Sequence, residues 1–179
     1  MKTFIISALV FGMTLAISGC TTSLQPQHVP VTRYDMMQVR SDTPVALVNV
    51  QELGLTMIKV GATDTETNLS LWSAQAIASI GVWLKLYNVP IDPEAEKKIK
   101  VSIIDPGINL RKHLPCAELT LKIVTESGLV RQYPVEGCAG TNNRAIGYAI
   151  SYAVINMIHD RDITDYIDGK PAPKPPAKK

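Results

Sequence analysis

The stretch CAELTLKIVTESGLVRQYPVEGC, residues 116–138, decides how this chain folds. Ala117, Leu119, Leu121 and Ile123 are apolar at odd positions, with Glu118, Thr120 and Lys122 polar between them. A period of two sends alternate side chains to opposite faces, so this is a strand buried on one side. Glu126-Ser127-Gly128 fits a three-residue hairpin loop with Gly in the left-handed position. If Thr125 lies opposite Leu129, opposed positions sum to 254: Leu119 faces Val135 and Leu121 faces Tyr133 on the core side. Cys116 then faces Cys138 at a non-hydrogen-bonded site, where side chains approach most closely. That approach nearly meets the ~3.5–4.5 Å between β-carbons that a disulfide needs. A structural Cys116–Cys138 bridge is expected, contributing ~2–4 kcal/mol. The same register sets Glu118 against Glu136, a mild like-charge cost.

Outward from the hairpin, the pattern alternates between periods of two and of three to four. VALVNV, 45–50, reads as a first strand after Pro44, and LTMIKVG, 55–61, as a weaker hairpin partner across Gly54. The polar segment ATDTET, 62–67, is rich in capping residues, and Thr67 or Asn68 can cap a helix from Leu69. Leu69, Trp72, Ala76, Ile80, Trp83 and Tyr87 form its apolar stripe, Gly81 suggests a close contact within it, and Pro90 stops it. IKVSIID, 99–105, is a third strand closed by Asp105-Pro106-Gly107, and INLRKHLP reads as loop or irregular edge. After the hairpin, Thr141 or Asn142 caps a last helix with Ile146, Ile150, Ala153, Val154 and Met157 inward. A short turn docks Ile163 and Tyr166. The expectation is one α+β domain over 44–168, an antiparallel or mixed sheet of four to five strands with two helices on one face, in the order β(β)αβββα.

The chain opens MKTFIISALVFGMTLAISGC. Lys2 precedes an apolar run from Phe4 to Ile17, about fourteen residues and short of the ~20 a membrane span needs, so 1–19 reads as a signal peptide. Ile17-Ser18-Gly19-Cys20 resembles the lipobox of bacterial lipoproteins. That resemblance implies cleavage before Cys20, a diacylglycerol on its sulfur and an acylated amino terminus. Thr21, rather than Asp, after the cysteine implies delivery to the outer membrane by the same resemblance. Lipidation of Cys20 accounts for the odd thiol, and an oxidising periplasm suits the remaining pair. Residues 20–43 beyond the lipid, with Pro26 and Pro30 and no apolar period, read as a flexible tether.

The tail GKPAPKPPAKK, 169–179, alternates proline and lysine and should be extended and disordered. Lys170, Lys174, Lys178 and Lys179 offer contacts to anionic lipid, lipopolysaccharide or cell-wall acids, though a solubilising end is the plainer reading. Between leader and tail, 13 basic residues face 16 acidic ones, so the body has no electrostatic footprint for nucleic acid.

No enzyme signature stands out. His28, His113 and His159 lack metal-ligand spacing, and Glu94 and Glu96 read as a solvated cluster beside Lys97 and Lys98. Ser70, Ser73 and Ser79 sit on a helix with no base in pattern, and Gly137-Cys138-Ala139-Gly140-Thr141 lacks the length and lysine of a phosphate loop. The last reads as a strand-to-helix turn before an anion site. No cofactor is implied.

From Tyr133 to Ile167, YPVEG, then NRAIGYAISYAV, then M-x-x-D-x-x-I-x-x-Y-I, the chain resembles the YajG-type family of small bacterial lipoproteins. The resemblance covers about a fifth of the chain, and the cysteine pair and Pro/Lys tail depart from the family pattern. It implies an outer-membrane-anchored α+β domain without assigned catalytic residues. The expected function is a non-catalytic accessory or assembly lipoprotein on the periplasmic face of the outer membrane, binding another envelope protein. A binder of lipid, lipopolysaccharide or peptidoglycan is the alternative, and an envelope hydrolase is disfavoured.

Overall fold

The structure, a computed structural model, describes residues 24–31 and 37–170. Its elements are β1 (Val45–Asn49), β2 (Thr56–Val60), β3 (Thr63–Thr67), α1 (Leu69–Leu86), β4 (Lys97–Arg111), β5 (Leu114–Thr125), β6 (Val130–Cys138), α2 (Asn142–Ile158) and α3 (Arg161–Ile167). They form an α+β fold with one mixed six-stranded sheet and three helices. The four-to-five-strand, two-helix expectation is corrected in three places, each with a local cause.

First, β3 is the segment TDTET that reads as capping residues. It turns back on β2 through Gly61, at φ 61°, and pairs antiparallel with it, Ile58 opposite Thr65. An edge strand with little buried surface needs no apolar period, and threonine suits a pleated backbone. Second, β1 and β2 do not form a hairpin across Gly54. Both lie parallel to β4 on the same edge, β1 beside Lys97–Val101 and β2 beside Gly107–Ile108. Third, the turn DITDYID is a helix, α3, because the Asp160 side chain caps it at the Asp162 N–H.

β4 also runs further than its alternation suggests. Ile104 pairs with Thr120 and Gly107 with Glu118, so one extra residue bulges out of β4 around Pro106. Ile99, Val101 and Ile103 face the core before the bulge, and Ile108 faces it afterwards. The parity change makes INLR look irregular in sequence, yet it pairs with β5 as far as Arg111–Leu114.

The β5–β6 register is the expected one throughout, from Val124–Val130 to Cys116–Cys138. Its odd positions, with Ile99, Val101 and Ile103, pack against α1 and α2 through Trp72, Trp83, Ile146, Ile150 and Met157. Asn68 caps α1 at the Ser70 N–H, and Thr141 caps α2 at the Arg144 N–H. α1 is long and apolar enough to cross a membrane by composition, but here half of it is buried as a core helix.

The glycine contacts differ from expectation. A β-carbon on Gly81 would meet only Leu47 Cδ1 at 3.7 Å and Ile91 Cδ1 at 3.8 Å, ordinary packing distances. A β-carbon on Gly137 would strike the backbone of Ala149, so Gly137 is what lets α2 lie down on β6. A β-carbon on Gly147 would strike the carbonyl of Gln27, from a segment read as tether.

That tether reading is corrected for residues 24–31. They form a strap bonded to both helices. The Leu24 carbonyl accepts from Thr67 Oγ1 at 2.9 Å and from the Trp72 indole at 3.1 Å. The Gln27 N–H donates to the Asn143 carbonyl at 2.9 Å, and Ser151 Oγ donates to the Val29 carbonyl at 2.7 Å. Further on, the Trp83 indole donates to the Met37 carbonyl at 2.9 Å, and Val39 is buried. Trp72 and Trp83 stand three helical turns apart, so one face of α1 holds both Leu24 and Met37. The strap carries little apolar period because backbone carbonyls, rather than side chains, make most of these bonds.

Gly147→Ala should therefore lift the strap and cost about 1–3 kcal/mol by overpacking. Urea unfolding measures the loss, and faster amide exchange at Gln27 locates it. Unchanged exchange at Gln27 would contradict this account of the strap.

Candidate functional site

Among the sequence-expected site residues, Cys20 lies outside the described residues, as does the tail beyond Lys170. The other two meet: Cys116 and Cys138 form a disulfide with Cα atoms 4.0 Å apart. It closes the end of the β5–β6 hairpin away from the Glu126–Gly128 turn. Cys116 is buried and Cys138 exposed.

Glu118 and Glu136 do face each other, as the register requires. The repulsion is answered by Arg111 at the end of β4, whose Nη2 stands 3.0 Å from Glu118 Oε1 and 2.6 Å from Glu136 Oε2. Sequence reasoning missed this cation because it treats INLRKHLP as loop; only the bulge brings Arg111 to the same face as both acids. Glu136 also lies beside both cysteine sulfurs, all three ligand atoms within 4.8 Å. With the sulfurs bonded to each other and the carboxylate held by Arg111, the trio is a structural staple.

The helix serines make hydrogen bonds within the fold. Ser73 Oγ bonds Gln51 Oε1, Ser79 Oγ bonds the Gln75 carbonyl, and Ser70 Oγ bonds Asn68 Oδ1. His28 Nδ1 pairs with Gln75 Nε2, His113 sits in the β4–β5 turn, and His159 closes α2. Glu94 and Glu96 are exposed. At the turn before α2, Thr141 accepts from the Arg144 N–H, and the strap's Gln25 N–H reaches Asn143 Oδ1 at 3.2 Å. Lys170 is paired, its Nζ 2.8 Å from Asp165 and 3.0 Å from Asp168.

A polar cluster that the sequence did not signal ties α3 to the hairpin. Tyr133 Oη donates to Asp160 Oδ2 at 2.7 Å, and Arg131 pairs with Asp160 and Asp162. Burial, reinforced by that carboxylate, pushes the Tyr133 phenol far above its ordinary value of 10.0. The only advance hint is that Arg131 and Tyr133 occupy core-side positions of β6, where a charge needs a partner.

The helices leave the other sheet face uncovered among the described residues. Lys100, Ile104, Lys122, Val124 and Val130 lie on it, half-buried to exposed. β6 is a free edge, interrupted by Pro134. Pro134 pairs with Thr120 at a non-hydrogen-bonded site, so its missing N–H would have faced the open edge and not β5. A scan against protein-family models, a search of curated proteins and a search of solved structures each found no match.

Reducing the Cys116–Cys138 bridge should lower stability by ~2–4 kcal/mol without unfolding the sheet, read as a shifted urea midpoint. An unmoved midpoint would count against its structural role. Tyr133 gives a second test. Its phenol titrates higher folded than unfolded, so its contribution is complete below pH ~10 and is lost as pH rises above that. Tyr133→Phe should therefore flatten the alkaline fall in stability between pH ~10 and ~12.

Proposed function

We propose that the protein is an outer-membrane-anchored periplasmic lipoprotein, lipidated at Cys20, that acts without catalysis as an accessory or assembly factor for another envelope protein. The observation that carries the assembly role is the uncovered sheet face, where Ile104, Val124 and Val130 stand among Lys100 and Lys122 and run out to the open β6 edge. A face of mixed apolar and cationic residues beside unpaired strand groups suits a protein partner that adds contacts along the edge. The compartment is supported by the apolar leader ending at Cys20 and by the disulfide, which persists where thiols are oxidised. The likeness of 133–167 to YajG-type lipoproteins agrees with it.

The alternative, binding of lipopolysaccharide or peptidoglycan, draws on the Pro/Lys tail. Lys170 is bonded to Asp165 and Asp168 at the end of the sheet where β4 begins, since Lys97 Nζ reaches the Ile167 carbonyl there at 2.9 Å. Lys174, Lys178 and Lys179 follow Lys170 in the sequence.

Crosslinking in intact cells from a photoreactive side chain at Val130, followed by mass spectrometry, tests the assembly role. One dominant protein adduct is expected, and adducts of glycan or lipopolysaccharide alone would overturn it. The anchor is tested separately: Cys20→Ala should abolish fatty-acid labelling of the chain, and normal labelling of that variant would sink the lipidation.

A further inference from the structure

The β4–β5 turn carries LRKHL, residues 110–114, at one extremity of the domain. Ile108 is the last core residue of β4, and every residue from Asn109 to Leu114 is exposed. Leu110 is 71% exposed and Leu114 47%, Leu114 pairing with Arg111 across a two-residue turn and Leu110 one step behind. Lys112 and His113 make that turn with positive φ, 48° and 68°, where Asn-Gly would be the relaxed choice. The tip therefore displays two leucines and a lysine, while Arg111 beside them is held by Glu118 and Glu136.

The position of this tip relative to the chain's start is what gives it meaning. The Ala139 N–H bonds the Pro115 carbonyl at 3.0 Å, which puts the start of α2 next to the tip. The strap begins at that same start, through Gln25 and Gln27 on Asn143. Leu24, where the strap is clamped, follows Cys20 by four residues, a reach of at most ~14 Å. Gly169 lies at the opposite end, beside Lys97, fourteen strand residues away from Arg111 and so up to ~46 Å distant along a strand.

We propose that the Leu110–Leu114 tip is a second membrane contact, seating the domain on the anionic phospholipid surface that holds its acyl chain. The proposal rests on the lipidation of Cys20 for its orientation. A strap docked from Leu24 onward leaves no long tether, so the end bearing α2's first turn and the hairpin tip is held at the bilayer. Leucines enter the headgroup boundary and Lys112 meets lipid phosphate, a pairing of apolar area with positive charge suited to anionic membranes. The uncovered sheet face then stands upright from the membrane, and Lys170 lies at the end away from it.

The test uses the full chain purified from membranes in detergent and reconstituted in vesicles of three parts phosphatidylethanolamine to one part phosphatidylglycerol with brominated acyl chains. The indole introduced by Leu110→Trp should be quenched at least about twofold more than one introduced by Leu86→Trp at the far end of α1, the buried Trp72 and Trp83 setting the background. Adding Lys112→Glu should reduce that quenching. Equal quenching at both positions, or none at Leu110→Trp, would overturn the tip contact. The intact mass of the amino-terminal fragment decides the anchor independently. Lipid present without quenching sinks the tip alone; quenching with no lipid on Cys20 keeps the tip and sinks the anchor; neither sinks both.

Discussion

Every peptide group of β4 has to find a partner, and the rest of the structure is arranged around that requirement. β5 bonds one edge from Ile99 to Arg111 with a single bulge. The other edge is shared by two short parallel strands that together do not cover it, β1 at one half and β2 at the other. The gap falls at Ile103, whose N–H donates to Gln51 Oε1 at 2.8 Å. A side-chain amide thus stands in for a missing strand residue, and the same oxygen takes the Ser73 hydroxyl from α1. An unpaired buried amide there would cost ~1–3 kcal/mol, so this one glutamine joins the sheet edge to the helix layer.

The helix layer is held from both sides. Gly137 permits α2 to approach β6 at backbone distance, and Gly147 permits the strap to approach α2 from the other side. Between them α2 carries small residues on both sides, Ala145 and Ala149 toward Gly137, and Gly147 and Ser151 toward the strap. The two α1 indoles complete the clamp by using their ring N–H groups on the Leu24 and Met37 carbonyls while their rings fill the core. A segment with two prolines and little periodicity becomes ordered because other elements supply its hydrogen-bond partners.

Much of the central architecture was legible in the chain. The β5–β6 register, and with it the Cys116–Cys138 bridge, follows from alternation and one turn residue, because a strand that slips by one position turns its apolar face outward. The stripes of α1 and α2 are equally local. What escaped was pairing between distant segments: β3 as an edge strand, β4 continuing past its bulge, β1 and β2 side by side on one partner. Arg111 shows the consequence for function, since its role toward Glu118 and Glu136 exists only once the bulge has reset the parity of β4. Tyr133 was placed on the core side by pattern, but Asp160 and Asp162 reach it and Arg131 only through the packing of α3.

The sequence by itself determined the elements with strong period, the hairpin register and the cysteine pair that the register brings together. Each of these depends on neighbours within about twenty residues, where geometry leaves few alternatives. Only the tertiary structure decided which face stays bare, where the strap lies and which end of the sheet the chain enters by. Those are settled by backbone groups finding partners and by two glycines clearing space, and neither leaves a hydrophobic pattern to read.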